Sequence, residues 1–310
     1  MNAESPRAAN AAIEIRNLSR RFGANDALSD VSLSIPRGVV FGLVGTNGAG
    51  KTTLIRHAMG LLRPQQGTVS VFGLDPVSNP TSVLARIGYL SEQNDLPEWM
   101  RVDELMAFTR AFYPNWNESY ATSLQRMFEL DPTKQVQQLS KGQRARVGLV
   151  LALSYRAELL VLDEPSSGLD PLVRRDILRA VIETIVQEGR TVLFSSHLLD
   201  EVERVADHVA IIDGGRIVQN EALESLKAGY HRLVLRFDAT VSTPPRAEGF
   251  FNWQGSGRNW SAYFRGNADE AAAITAGLNA QLVDFATPSL NDIFVALIGS
   301  KHAAQSRAGA

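Results

Sequence analysis

The chain has 310 residues, of which 45% are hydrophobic and 21% are charged, and its formal net charge is −2. These values are typical of a globular protein with one large and one small domain or two medium ones, and they exclude a general electrostatic attraction to nucleic acid. No apolar run approaches the roughly 18 residues of a membrane span, and residues 1–10 lack the apolar core of a signal peptide. The absence of cysteine excludes disulfides and thiolate metal sites. We therefore expect a soluble, cytosolic protein.

The pattern of apolar residues predicts an α/β fold built from several parts. After a segment at residues 1–11 that is expected to be disordered, alternation of apolar and polar residues predicts antiparallel strands with one solvated face, at residues 12–18 and 31–35. Nearly continuous apolar runs predict parallel strands covered on both faces, at residues 39–44, 159–162 and 191–195. Helical apolar spacing at 102–130 and 144–156 predicts a helical insertion over about residues 95–157.

The composition of the sequence changes near residue 221, where a second part of the chain is expected to begin. Its patterns predict a small α+β domain with strands at 233–237 and 259–265 and helices at 269–278 and 289–298. We expect the first domain to span residues 12–228 and the second to span residues 229–299. The small and polar residues 300–310 predict a disordered tail.

The segment between residues 45 and 53 is the most specific motif in the sequence. Gly45 and Gly50 stand five positions apart and are followed by Lys51 and Thr52, between a predicted strand and a predicted helix. Glycines let backbone N–H groups approach phosphate oxygens, while the Lys51 ammonium can reach the β- and γ-phosphates and the Thr52 hydroxyl can bind Mg²⁺. A glycine-rich turn is the plain alternative, but the flanking strand and helix favour a nucleotide site. The residues predicted to contact the nucleotide are Gly45, Thr46, Asn47, Gly48, Ala49, Gly50, Lys51, Thr52 and Thr53.

A second motif ends the apolar run at residues 159–162 with two carboxylates, Asp163 and Glu164. In phosphate-loop enzymes the first carboxylate holds Mg²⁺, usually through water, and this assigns Asp163 to the metal. Glu164 is then placed to orient and deprotonate the attacking water. Alone, the pair could be a solvated strand end. Together with the phosphate loop, it predicts that a nucleotide is bound with Mg²⁺ and hydrolysed.

Three further motifs resemble those of ABC ATPases and occur in the order found in that family: Leu139-Ser140-Lys141-Gly142-Gln143, Ser166-Ser167-Gly168-Leu169-Asp170, and His197 after residues 192–196. The resemblance covers about residues 12–225. It implies a P-loop NTPase core with an antiparallel β subdomain and a helical insertion. It also implies that two such domains pack head to tail, each ATP lying between the phosphate loop of one domain and the signature of the other. The partner would be a second copy of this chain or a homologous ATPase subunit.

The resemblance also implies roles for single residues. Ser140 would donate its hydroxyl, Gly142 an open backbone N–H, and the helix from Gln143 onward its positive end to the partner's nucleotide. The plain alternative for this segment is a helix N-cap. Asp170 ends the loop that follows the catalytic glutamate and is counted with the nucleotide contacts. His197 would bond the γ-phosphate near Glu164, although an isolated histidine is more often a satisfied structural residue.

Two positions depart from the family pattern, and at a third the role of the residue is inferred only from its place in the sequence. Glu92, with Gln93 beside it, stands where the family usually has a glutamine that senses Mg²⁺, so both are candidate metal ligands. Lys141 replaces a more frequent glycine, which is tolerable if its side chain points away from ATP. Phe22 occupies the place of the aromatic residue that stacks on adenine, although a lone phenylalanine is more often a core residue.

Residues 112–117 and 139–143 resemble segments of the ATP-binding subunits of bacterial exporters, whose membrane permease is a separate chain, and the small domain ending in residues 289–294 is similar to their accessory domain. This resemblance predicts a peripheral location on the inner face of the cell membrane, bound through the permease. The exposed candidates Trp99 and Met100 of the insertion would receive a helix of that partner. No nucleic-acid partner is expected, since Arg144, Arg146 and Arg156 are interpreted as a solvated helix face.

Two other classes of function are compatible with the nucleotide motifs. A soluble ABC ATPase acting on ribosomes or DNA usually carries two ATPase units or a long coiled coil, and this sequence has neither. A nucleotide sensor without turnover would not need Glu164 and His197. A membrane-protein gene beside this one would discriminate between these classes.

Overall fold

The computed structural model describes residues 11–93, 95–245 and 247–308. They divide into two compact units, of which the first ends at Asn220 and the second begins at Glu221. We predicted a boundary at 228/229, eight residues later. Strand β1 already begins at Ala11, within the segment expected to be disordered, and residues 1–10 lie outside the described part of the chain.

The first unit is an α/β structure. Its strands are β1 (Ala11–Phe22), β2 (Asn25–Pro36), β3 (Val40–Val44), β4 (Gln66–Val71), β5 (Ile87–Leu90), β6 (Leu159–Asp163), β7 (Thr191–Ser196), β8 (His208–Asp213) and β9 (Arg216–Ala222), the last of which crosses the boundary. Its helices are α1 (Lys51–Ala58), α2 (Pro80–Leu84), α3 (Val102–Arg110), α4 (Glu118–Met127), α5 (Lys141–Ser154), α6 (Pro171–Glu188) and α7 (Leu199–Val205).

A central sheet has the strand order β5-β6-β7-β3-β8-β9, and β5, β6, β7, β3 and β8 are paired in parallel. Every residue of β3, β6 and β7 is buried, as their continuous apolar sequences predict for strands with both faces covered. Because parallel strands share one carboxyl edge, this arrangement brings the segments after β3, β6 and β7 together.

A second sheet, of order β2-β1-β4, is antiparallel. The apolar face of β1 pairs Ile13 with Ile35 and Val71, and these side chains join a core that also contains Leu54 of α1. The alternation at 12–18 and 31–35 therefore marks the buried face of two strands that are longer than predicted.

The predicted helical insertion contains α3, α4 and α5, with a short 3-10 turn at Val136–Gln138. Of the three arginines interpreted as a solvated helix face, Arg156 is exposed, whereas Arg144 and Arg146 are partly buried in ion pairs. Arg144 binds Glu98 at 3.0 Å, and Arg146 binds Asp176 at 2.7 Å. The Arg156 guanidinium lies 4.8 Å from the centre of the Tyr120 ring.

The second unit contains α8 (Leu223–Ala228), β10 (Tyr230–Val241), β11 (Phe250–Arg265), α9 (Ala268–Gly277), β12 (Ala280–Ala286) and α10 (Leu290–Ala308). Its antiparallel sheet has the order β11-β10-β12 and buries a core around Leu235, Trp260 and Phe264. Helix α10 continues to Ala308, into the segment 300–310 that was expected to be disordered; residues 309–310 lie outside the described part. The alanines of this segment favour the helix.

Candidate functional site

The phosphate-loop motif connects β3 to the first turn of α1. Lys51 is buried, and its Nζ donates to the backbone oxygens of Gly45 at 2.7 Å and Thr46 at 3.1 Å. The same ammonium lies 2.9 Å from Glu164 Oε1. Three oxygens thus hold the lysine at the start of a helix whose N-terminal N–H groups favour an anion.

Gly50, which precedes α1, shows why this position requires glycine. Its φ is +112°, and a Cβ there would lie 2.7 Å from the backbone oxygen of Ala27. Any L side chain would meet both a disfavoured backbone conformation and a steric clash. The close approach also positions the β1–β2 hairpin beside the loop.

Asp163, at the end of β6, faces the loop. Its Oδ1 accepts a hydrogen bond from the Thr52 hydroxyl at 3.2 Å and another from Ser195 Oγ at 2.7 Å. Burial raises the pKa of Asp163, while these two hydrogen bonds act in the opposite direction. Thr52 supplies a hydroxyl and Asp163 a carboxylate. Both are oxygen ligands that suit Mg²⁺ when water and phosphates complete the coordination.

Glu164 lies at the centre of the polar contacts. Besides its ion pair with Lys51, its Oε2 is 2.6 Å from Nδ1 of His197 and accepts the His197 backbone N–H at 3.3 Å. Its own N–H donates to the backbone oxygen of Ser195 at 3.1 Å. The residue is buried and has a left-handed φ of +50°. The sheet therefore brings together Lys51, Glu164 and His197, to which sequence analysis gave roles at the γ-phosphate or the attacking water.

Lys51 and Glu164 border a cavity of about 430 Å³, whose full lining is Phe22, Asn25, Ala27, Asn47, Gly48, Gly50, Lys51, Thr52, Thr53, Glu92 and Glu164. Phe22 is 44% exposed, so it is a surface residue at the cavity and not a core residue. Of the two candidates for the metal-sensing position, Glu92 lines the cavity, whereas Gln93 is exposed and absent from the lining. The side chain of Glu92 also accepts a hydrogen bond from Ser167 Oγ at 3.1 Å.

The signature segment begins α5. Ser140 accepts the N–H of Gln143 at 3.2 Å, and the Gln143 side chain accepts the N–H of Ser140 at 3.0 Å, which is a reciprocal helix cap. Lys141 Nζ donates to the backbone oxygen of Ser167 at 2.7 Å, so its side chain points to the loop after Glu164. A Cβ on Gly142 would come within 2.8 Å of Val173 on α6.

Asp170 caps α6, with Oδ1 accepting the N–H groups of Leu172 at 3.0 Å and Val173 at 3.1 Å. Within the described chain, the residues that line the cavity include neither Asp170 nor the signature residues Ser140, Gly142 and Gln143. The structure thus separates the sequence-predicted contacts into two groups: one around the phosphate loop and one around the signature.

Sequence reasoning missed several residues of the site. Asn25 and Ala27 line the cavity because the β1–β2 hairpin reaches the loop, and Ser195 holds both carboxylate residues from the neighbouring strand. Ser195 lay inside an apolar run, where a hydroxyl was a weak signal. Among the described residues, no cluster of three or more His, Asp or Glu side chains is arranged to hold a metal ion.

None of the helices in the described part of the chain is long and apolar enough to cross a membrane.

Comparison with known proteins identifies the family. Residues 28–167 match the family model "ABC transporter". The chain is 38% identical over 224 residues to the ABC transporter ATP-binding protein NatA of Bacillus subtilis, covering 69% of this chain and 91% of the relative. It is 36% identical to the daunorubicin resistance ATP-binding protein DrrA3 of Streptomyces coeruleorubidus, over 71% of each chain.

The fold also matches a solved structure of an ATP-binding subunit of an ABC transporter, with a TM-score of 0.64 and 29% identity over 70% of this chain and 92% of that one. The predicted P-loop NTPase fold with an antiparallel β subdomain is confirmed. The chain belongs to the family of ABC transporter ATP-binding proteins and is an ABC-type ATPase.

Proposed function

We propose that this chain is the ATP-binding and hydrolysing subunit of an exporter, and that it drives a separate membrane permease. The observation that carries this proposal is the separation of its two groups of site residues. The cavity contains the phosphate loop, Glu164 and Phe22, whereas Ser140 begins a helix outside it. A complete site then needs a signature from another chain.

A head-to-tail dimer supplies that signature. The partner is a second copy of this chain or a homologous ATPase subunit, and two equivalent sites form, each with one phosphate loop and one signature. Ser140 is exposed, and its helix presents a capped N-terminus with the partial positive charge that favours a phosphate. Gly142 and Gln143 follow Ser140 directly, and a Cβ on Gly142 would lie 3.7 Å from Asp170 Oδ2, so these residues belong to the same group as Ser140.

Within each site the residues divide the work. Phe22 stacks on adenine, while Lys51 and the N–H groups of residues 45–53 hold the phosphates. A water oxygen attacks the γ-phosphorus, the bond to the bridging oxygen of ADP breaks, and Glu164 takes the proton of the water. His197 contacts Glu164 and the γ-phosphate. When bound, Mg²⁺ neutralises charge on the phosphate oxygens, and Thr52 and Asp163, with Glu92 nearby, are the residues that would hold it.

Export is supported by the similarity to DrrA3, whose name describes drug resistance. Trp99, at 71% exposure, gives the helical insertion an accessible aromatic side chain for a helix of the permease. The chain would then be held at the inner face of the cell membrane by its partner. Copurification in detergent with the membrane protein encoded beside it tests this assignment. Cofractionation with ribosomes or DNA instead would favour the other class of ABC ATPase.

Ser140→Arg tests the composite site. The bulky cation should block the partner's nucleotide and lower kcat by roughly 100-fold, the scale seen when a donor to a transition state is lost, while ATP binding to the monomer is unchanged. Ser123→Arg, at an exposed position of α4, is the matched control and should keep the parent rate. Parent ATPase activity in Ser140→Arg, or activity that is strictly proportional to protein in a proven monomer, would contradict the dimer.

A further inference from the structure

Glu201 is a buried carboxylate that the proposed reaction does not use. It lies in the first turn of α7 and is only 8% exposed. Buried charges in proteins are normally paired or hydrogen-bonded, because an unpartnered carboxylate loses its hydration without compensation. The groups that contact Glu201 therefore indicate which part of the structure its carboxylate stabilises.

Two side chains contact this carboxylate. The Ser166 hydroxyl donates to Oε2, and the Arg174 guanidinium lies 4.0 Å from Oε1. Burial raises the pKa of Glu201, while the Ser166 hydrogen bond and the charges of Arg174 and His197 lower it. Ser166 is 1% exposed, so its hydroxyl cannot exchange Glu201 for water without a local opening of the structure.

The contact between Ser166 and Glu201 joins two segments that follow Glu164 and His197 in the chain. Ser166 follows Glu164 by two residues, and Glu201 follows His197 by four. The hydrogen bond between Ser166 and Glu201 thus connects the segment after Glu164, the proposed base, to helix α7, which follows His197. Glu164 and His197 themselves are 2.6 Å apart, from Oε2 to Nδ1.

Glu164 needs such support because its backbone is in the left-handed region, with a φ of +50°. A non-glycine residue persists in this conformation only when its surroundings fix it. On one side its N–H is held by Ser195. On the other side the chain turns through Ser166, and the N–H of Ser167 donates to the backbone oxygen of Glu164 at 3.1 Å.

We infer that Glu201 is a positioning residue for ATP hydrolysis. Through Ser166 it fixes the segment after Glu164 against the helix after His197, and it thereby keeps the carboxylate and the imidazole in contact. This role rests on the proposed function of Glu164 as the base. Glu201 has no contact with the cavity in the described residues, so it acts on the rate of hydrolysis and not on the binding of ATP.

The experiment measures kcat, KM for ATP and thermal unfolding of the full chain for Glu201→Ala, Glu201→Gln, Ser166→Ala and the double alanine variant. Glutamine keeps the volume and an oxygen that accepts from Ser166, so it separates the hydrogen bond from the charge. Asp200→Ala, at the exposed neighbouring position of α7, is the matched control. Glu164→Gln is measured beside them as an independent test of the base.

We expect Glu201→Ala to lower kcat by roughly tenfold or more with an unchanged KM, the scale of a lost hydrogen bond to a charged group. Ser166→Ala should lower kcat in the same direction, the double variant should lose no more than Glu201→Ala, and Glu201→Gln and Asp200→Ala should stay near the parent. Parent kcat in Ser166→Ala, additive losses, or equal losses in the glutamine and alanine variants would overturn the inference. If Glu201→Ala does not fold, the kcat values of Ser166→Ala and Glu201→Gln test the inference. A parent rate in Glu164→Gln would instead reject the base.

Discussion

At the scale of single residues, the Glu164 carboxylate contacts two other side chains of the site. Its carboxylate lies between the Lys51 ammonium at 2.9 Å and the His197 imidazole at 2.6 Å. In the proposed reaction Lys51 binds the phosphates, and one oxygen of Glu164 would then be available to accept a proton from water. The lysine thereby links the arrival of the phosphates to the release of the proposed base.

Glu164→Gln tests this role. The amide keeps the size of the side chain but cannot take the proton, so hydrolysis should slow by roughly 10²–10⁴-fold. Removing a negative charge beside the phosphates should leave ATP binding intact or tighten it. We expect a long-lived dimer with trapped nucleotide, seen by gel filtration with ATP and absent with ADP. Glu224→Gln removes an exposed carboxylate on α8 and should leave the rate unchanged.

Hydrolysis at the parent rate in Glu164→Gln would assign the base to another residue. A slow variant that remains monomeric with ATP would retain the base and contradict the trapped dimer.

The residues of the phosphate-loop motif were the most predictable from sequence. Their spacing within residues 45–53 is local, so the covalent chain alone brings Gly50, Lys51 and Thr52 together. Asp163 became a candidate because it ends an apolar run, and His197 because the segment that contains it resembles a motif of ABC ATPases. Ser195 and Asn25 contact the site only through strand neighbours and hairpin geometry, which a single sequence does not encode at fixed spacing.

At the scale of elements, the central strand β3 allows helix α7 to approach closely because it carries Gly42. A Cβ at this position would lie 2.3 Å from Val202 Cγ1. We predict that Gly42→Ala lowers the free energy of unfolding by about 1–3 kcal/mol, the usual effect of overpacking a dense core. Denaturant unfolding followed by circular dichroism measures the change.

Gly277, at the end of α9, is the matched control. A Cβ there would have no neighbour within 4 Å, so Gly277→Ala should be neutral or stabilise by up to about 1 kcal/mol. A Gly42→Ala protein as stable as Gly277→Ala would show that α7 can move away from β3 at no cost.

Elements with an unambiguous pattern were predicted best. The short, nearly continuous apolar runs of β3, β6 and β7 favour strands covered on both faces, and all three are buried strands. Strand β11 starts at Phe250, nine residues before the predicted start, because residues 250–258 contain glycines and polar groups that weaken the strand pattern. Its pairing with β10 is a tertiary effect that overrides local propensity.

At the scale of the whole molecule, all residues of the cavity and its polar contacts lie in the first unit, between Phe22 and His197. A chain ending at Ala222, the last residue of β9, should therefore bind and hydrolyse ATP with unchanged affinity. Equilibrium binding of ATP and the steady-state ATPase rate measure this. The second unit is then available for other roles, such as partner binding or dimer lifetime.

The control is Lys51→Ala in the same shortened chain. Loss of a charged hydrogen bond should weaken ATP binding by roughly 10- to 150-fold, which corresponds to about 1.5–3 kcal/mol. A folded shortened chain that binds ATP no better than this control would mean that the second unit contributes to the site.

The hydrogen bond between Lys141 and Ser167 has a consequence for the assembled enzyme. It connects the signature of a chain to the loop that follows the Glu164 of that same chain. In the proposed dimer the signature faces one nucleotide and Glu164 faces the other, so this bond joins the two reaction centres through a single polypeptide. Filling one centre should therefore alter the turnover of the other, and ATP hydrolysis should be cooperative, with a sigmoidal dependence of rate on ATP concentration.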